Sequence, residues 1–347
     1  MKKNTSFINS NFLNIVPVVC SLMVVAIHMH MVDGNAYTIS SRIISFLTHG
    51  ICTTAVPIFF LLSGYLFYRN VDTVSDALQK QKKRVTSVLM PFLAWSAFYY
   101  GMYAAVSLLV PGFLQGNVAL DILSILKGIV FYEYAFPMWY MFQLCVFILL
   151  APALTLALKN TTVSIVLLMA AVIAGIPGWE LSVDLGGYER ALFQPNFFAY
   201  YWLGCLLARH TDVQAWLLKT ARRIPLALLI VALFGASLLE SLLFDRLIPC
   251  FNNRIAVPLV FAAFLLLMVR LCQQDKVFPA PKVSTMIIYG VHSAAGIFLG
   301  KFIFAGLTLP ALLYFAVSWL TVTAISVAVA WILRYIKPLH WVFSGNR

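Results

Sequence analysis

The chain has 347 residues, of which 62% are hydrophobic and 10% charged, with a formal net charge of +12 and a mean hydropathy of +0.91. Soluble domains carry about 25% charged residues, and a chain of this size has too little interior to hide so much apolar surface from water. A soluble protein and a transmembrane β-barrel are excluded, the latter because the apolar runs are long and do not alternate, and an all-α, polytopic membrane protein is predicted. The positive charge falls in short clusters between apolar runs, with no basic tail of interleaved aromatics, so it predicts orientation in a membrane and no nucleic-acid partner.

Ten apolar stretches follow one another, over 12–32, 43–68, 86–110, 136–158, 162–178, 193–209, 224–243, 255–271, 284–304 and 310–333. Most are near the ~20 residues that cross a bilayer, and the fifth, sixth and eighth are short. With the N-terminus placed in the cytoplasm, the outer connections hold Arg42, Lys127, Arg190, Arg246, Arg254 and Lys301. That is 6 of the 24 Lys and Arg, which leaves 18 inside. This three-to-one bias predicts ten transmembrane helices with both termini cytoplasmic. Lys2 and Lys3 before the first run imitate a signal peptide, but no small-residue cleavage site follows, so a retained span is expected. Residues 121–135 are expected to form an interfacial amphipathic helix. No soluble domain or long repeat interrupts residues 1–347, which form a single domain. The six cysteines make no CxxC pair, so neither a disulfide framework nor a metal site is expected.

In chain order, the polar residues inside these runs begin with His28 and His30, where the first stretch ends. Two positions on a helix differ by about 200° of rotation, so one of the two can face an internal site. They lack the i, i+4 spacing of a zinc pair. An imidazole is the usual general base near neutral pH, and ionisable groups within spans mark functional sites or satisfied structural ones. In the second stretch, Pro57 invites a kink and Ser63-Gly64 a close helix approach. Ser63 has no GxSxG elbow and is a poor nucleophile. Lys82-Lys83-Arg84 enters a span broken by Pro91; this is either an orientation anchor or a phosphate-binding mouth for an anionic donor. Trp139 and Tyr140 are interfacial anchors or a stacking surface for a sugar or adenine ring. His292, mid-span, is a helix–helix hydrogen bond or a polar wall of the cavity that His28 faces. Lys301 is expected to snorkel.

Taken in this order, the landmarks resemble the membrane-bound acyltransferase 3 family. The family's first-span motif corresponds to Leu13–Pro17 through Val24–His28. Its VPLFFxLSGYLF corresponds to residues 56–67, from Val56-Pro57 to Ser63-Gly64-Tyr65-Leu66-Phe67. Its basic cluster corresponds to Lys82-Lys83-Arg84 with Pro91, and its LWFL segment to Met138-Trp139-Tyr140-Met141 with Pro152. Its glycine-bearing span is similar to Tyr200–Gly204, and its IYxxH to Ile288-Tyr289-Gly290-Val291-His292. Two positions depart from the pattern: Pro17 stands where the family has an arginine and Asn14 where it has an aspartate. Pro137 also lies near a position that is often histidine.

The resemblance implies transfer of an acyl group, usually acetyl, from cytoplasmic acetyl-CoA to a hydroxyl of a cell-envelope glycan or lipid-linked sugar, in a bacterial inner membrane and without a metal. The branch it resembles most O-acetylates enterobacterial common antigen. The expected site has His28 as general base and Lys83 and Arg84 at the donor phosphates, with Arg84 replacing the missing arginine. Ser63, Trp139, Tyr140 and His292 are expected to line the substrate cavity. Two further readings fit the same residues, a polysaccharide or lipid-linked-sugar transporter and a relative of the family that binds a glycan without catalysis.

Overall fold

The structure is a computed structural model, described here for residues 7–29, 38–110, 118–185, 188–246, 256–274, 277–304 and 309–345. Helix α1, Ser10–His28, is capped by Asn9, whose side chain accepts from the Phe12 amide. Helix α2, Ile39–Ser45, passes through a π-helical turn, Phe46–Ile51, and a 3-10 turn, Cys52–Thr54, into α3, Ala55–Tyr68. The expected kink at Pro57 is thus taken up just before it by a change of helical pitch. Threonine hydroxyls serve the carbonyls there: Thr48 donates to Ile44, Thr53 to Gly50 and Thr54 to Ile51. The expected break at Pro91 is handled the same way. Helix α4, Val74–Arg84, continues through a π-helical turn, Val85–Leu89, into α5, Met90–Leu109.

Helix α6, Ile122–Val130, starts at the Asp121 cap and covers only the first part of the 121–135 region expected to form an amphipathic helix, the rest being turns. The stretch at 136–158 is broken. A 3-10 turn, Phe136–Met138, opens α7, Trp139–Leu149, and α8, Ala151–Ala157, departs at 60°. Pro152 sits in the first turn of α8, where its missing N–H costs nothing. Gln81 donates to the Ile148 and Leu149 carbonyls, and the Tyr68 hydroxyl to that of Ala151, which satisfies the broken ladder.

Helix α9, Thr161–Gly175, leads to a hairpin of β1, Leu181–Asp184, and β2, Glu189–Phe193, that the sequence reading did not foresee. Gln143 of α7 pins it, donating to the Ala191 carbonyl and accepting from the Gln194 amide. Helix α10, Pro195–Arg209, and α11, Thr211–Arg223, follow, and α12, Leu226–Arg246, leaves α11 at 100°. The chain closes with α13, Val257–Cys272; α14, Thr285–Phe302; α15, Ala311–Leu333; and α16, Lys337–Ser344.

Among the described residues, 4 helices are long and apolar enough to cross a bilayer, or up to 6 if each bent pair is one span. Thr161–Gly175, Val257–Cys272 and Thr285–Gly300 are apolar but shorter. Each of the ten expected stretches therefore contains helix, while breaks and short helices replace ten uniform rods.

Helices α3 and α10 cross in close contact. A Cβ added at Gly64 would run into the Tyr201 carbonyl, and one at Gly204 into that of Leu61, so the backbones touch through both glycines. Helix α16 is held on α5 by the Trp95 indole N–H, which donates to the Phe343 carbonyl at 3.1 Å.

Candidate functional site

His28 is the last residue of α1 and is half-buried. Its ring lies 5.0 Å from that of His292, tilted by 32°, and 6.4 Å from that of Phe136, at 90°. His292 has no exposed surface. Its Nδ1 is 2.6 Å from the carbonyl of Tyr289, one turn earlier on α14. A carbonyl only accepts, so Nδ1 carries the hydrogen and Nε2 presents a lone pair. That Nε2 is buried and has no hydrogen-bond partner among the described residues. His30 lies outside the described residues.

A line of rings leads from this pair toward α3. The Tyr289 ring is 5.7 Å from His292 and 6.1 Å from Tyr140, and its hydroxyl donates to the Pro137 carbonyl. The Tyr140 hydroxyl is 3.0 Å from Ser63 Oγ and 3.4 Å from the Phe59 carbonyl. Ser63 and Tyr140 line a cavity of about 290 Å³ that also touches Leu13, Pro17, Arg84 and Thr285. The fold thus brings together Ser63, Tyr140, Arg84 and the departing residue Pro17, with His28 and His292 beyond Tyr289.

The remaining expected residues are placed elsewhere. Trp139 turns away, its ring 4.8 Å from Phe197 of α10 and 6.3 Å from Phe60 of α3. Lys83 is exposed and is not among the residues lining the cavity. Lys80, one turn before Arg84, is the cation that sequence reasoning missed. Its Nζ donates to the carbonyl of Phe67, another lining residue, at 2.6 Å. The positive charges of Arg84, Arg69 and Lys83 all act on Lys80, against one carboxylate, Asp76. Such a cluster attracts anions. Its i, i+4 relation to Arg84 was the available signal. Tyr289 was also missed as a site residue, although it stands three positions before His292.

Pro17 lies inside α1 and cannot donate the helical hydrogen bond to the Leu13 carbonyl. Leu13 and Pro17 both line the cavity, as does Arg84. The other departure, Asn14, has a definite contact: its amide donates to the Phe278 carbonyl at 2.8 Å. Asn9 and Asn11 donate to the Cys272 carbonyl, and Asn11 accepts from the Phe278 amide. These amides tie the start of α1 to the connection between α13 and α14. An aspartate at position 14 cannot make that donation.

Among the described residues, no three His, Cys, Asp or Glu side chains converge as a metal site. Compared with known proteins, the chain is matched over residues 10–335 by the acyltransferase 3 family model, described as an acyltransferase domain. No curated protein and no solved structure matches it.

Proposed function

We propose that this chain, which belongs to the acyltransferase 3 family of membrane proteins, moves an acetyl group from cytoplasmic acetyl-CoA to a hydroxyl of an envelope glycan or lipid-linked sugar. The membrane is a bacterial inner membrane. All ten apolar stretches enter it, the short and bent helices included, with both termini cytoplasmic. The excess of Lys and Arg on alternate connections supports this orientation.

One observation carries the reading: the run Tyr140–Tyr289–His292–His28 joins a cavity bearing a guanidinium to an imidazole pair. About 290 Å³ is just below the range of pockets that hold drug-sized ligands, roughly 300–1,000 Å³. The cavity suits the slender thioester arm of the donor and leaves the nucleotide outside, with Arg84, Lys80 and Lys83 facing its phosphates. The hydroxyls of Ser63 and Tyr140 offer hydrogen bonds along the arm. Tyr289 stands between this cavity and the histidines and has to swing aside for the thioester to reach them.

In the transfer itself, His28 accepts the proton of the acceptor hydroxyl as that oxygen attacks the thioester carbonyl carbon. The tetrahedral oxyanion collapses, the C–S bond breaks, and the departing thiolate takes the proton from the imidazolium. His292, held in one tautomer by the Tyr289 carbonyl, fixes the His28 ring. No serine is needed as a covalent carrier.

Incubation of membranes with labelled acetyl-CoA tests this. Base-labile label enters the glycan with the wild-type chain, and His28→Ala abolishes it at unchanged membrane abundance. A transporter gives labelled glycan in neither case and no free acetate. Pro17 favours one competing reading, a relative that binds without catalysis; acetyl-CoA binding without turnover would establish it.

A further inference from the structure

Phe136 is 64% exposed, while its neighbours Ala135, Pro137 and Met138 are buried. The backbone that displays it is pinned. The Met138 amide donates to Ala135, the Ala135 amide to Tyr132, and the Pro137 carbonyl accepts from Tyr289. Just upstream, Tyr132 adopts a φ of 46°, which a bulky side chain rarely takes. Arg190 holds it there, stacking 5.2 Å from the Tyr132 ring and donating to the Phe131 and Glu133 carbonyls. Strained backbone that the surroundings enforce is concentrated at functional sites.

This aromatic stands at 90° to the His28 ring. The His292 ring, also beside His28, is wholly buried. Phe136, largely exposed and 6.4 Å from the half-buried imidazole, lies within reach of an acceptor bound at His28. Resting on the acyltransferase reading above, we infer that Phe136 is the stacking face of an acceptor subsite for the flat face of a sugar ring. The C–H groups of one sugar face pack on an aromatic quadrupole. A rigid aromatic also supplies that contact at small entropic cost. Stacking there turns one ring hydroxyl toward His28. A side chain that merely meets lipid requires neither an enforced turn nor a place beside an imidazole, and leucine would serve it equally.

The test measures transfer from labelled acetyl-CoA in membranes while titrating lipid-linked glycan extracted from the host envelope. Phe136→Leu is expected to raise the acceptor KM by about tenfold or more, the scale of a lost aromatic stack, and to spare kcat at saturating glycan and the KM for acetyl-CoA. Phe136→Trp is expected to restore the acceptor KM. Wild-type kinetics in Phe136→Leu would overturn the inference in favour of a lipid contact. A fall in kcat with unchanged acceptor KM would also overturn it, by showing that Phe136 only shapes His28. If the wild-type chain transfers no acetyl group to any envelope glycan, the acyltransferase reading falls first and the subsite with it.

Discussion

His28 and His292, from α1 and α14, hold their rings 5.0 Å apart, and the Nδ1 of His292 lies 2.6 Å from the Tyr289 carbonyl. In the proposed mechanism His28 serves the acceptor and His292 positions it. His292→Phe keeps a ring in the space and removes both nitrogens. Glycan labelling is expected to fall by ~10²-fold, the cost of a misplaced catalytic group. Acetyl-CoA binding, measured in the same membranes, is expected to stay.

The Tyr289 ring lies 6.1 Å from that of the cavity residue Tyr140 and 5.7 Å from that of His292, and in the proposed mechanism it is the barrier between cavity and histidines. Tyr289→Ala removes the barrier and admits water to the thioester. Release of free acetate in the absence of acceptor is expected to rise above the wild-type rate, while glycan labelling falls.

Arg84 lines the cavity and Lys83 is exposed. Arg84→Gln is expected to raise the KM for acetyl-CoA by about tenfold to a hundredfold, the equivalent of losing a charge-assisted hydrogen bond. Lys83→Gln is expected to change it by less than about fivefold, as for exposed ion pairs. Donor titrations of the two variants give the comparison.

Asn14 donates to the Phe278 carbonyl. Asn14→Asp loses that donor and sets a carboxylate against the carbonyl oxygen. A destabilisation of about 1–3 kcal/mol is expected, read as a lower unfolding midpoint of the purified protein in detergent.

Gly64 meets the Tyr201 carbonyl of α10, whereas nothing lies within 4 Å of a Cβ built on Gly101. Gly64→Val is expected to force α3 from α10 and cost about 3 kcal/mol, the upper range of overpacking. Gly101→Ala is expected to be neutral or stabilising by up to ~1 kcal/mol. Detergent unfolding midpoints of the two variants separate the cases.

Much of the site is legible as composition and motif. Ser63-Gly64 reads as a notch for a close helix, and Gly64 is one; the partner Tyr201 and the reciprocal Gly204 are not readable, because nothing local to position 64 names the helix that fills it. Arg84 reads as a cation near a donor and lines the cavity. Trp139 reads as part of the same cavity, yet it packs on Phe60 and Phe197, because adjacent helical residues point about 100° apart and only Tyr140 faces Ser63. Pro57 and Pro91 read as breaks, but π-helical turns absorb both before the prolines are reached. Pro152 reads as one feature of a single span and instead begins a second helix at 60°.

The sequence by itself determined the solvent: 62% hydrophobic residues in long runs leave the chain only lipid in which to bury them, and helices as the way to satisfy its backbone there. Tertiary structure alone decided that His28 meets His292, that the Tyr289 ring comes near both His292 and the cavity residue Tyr140, and that Pro17 and Arg84 line one cavity. Hydropathy is a sum over neighbours along the chain. Convergence depends on how each helix is rotated and where it crosses another, and that is settled by packing between residues far apart in sequence.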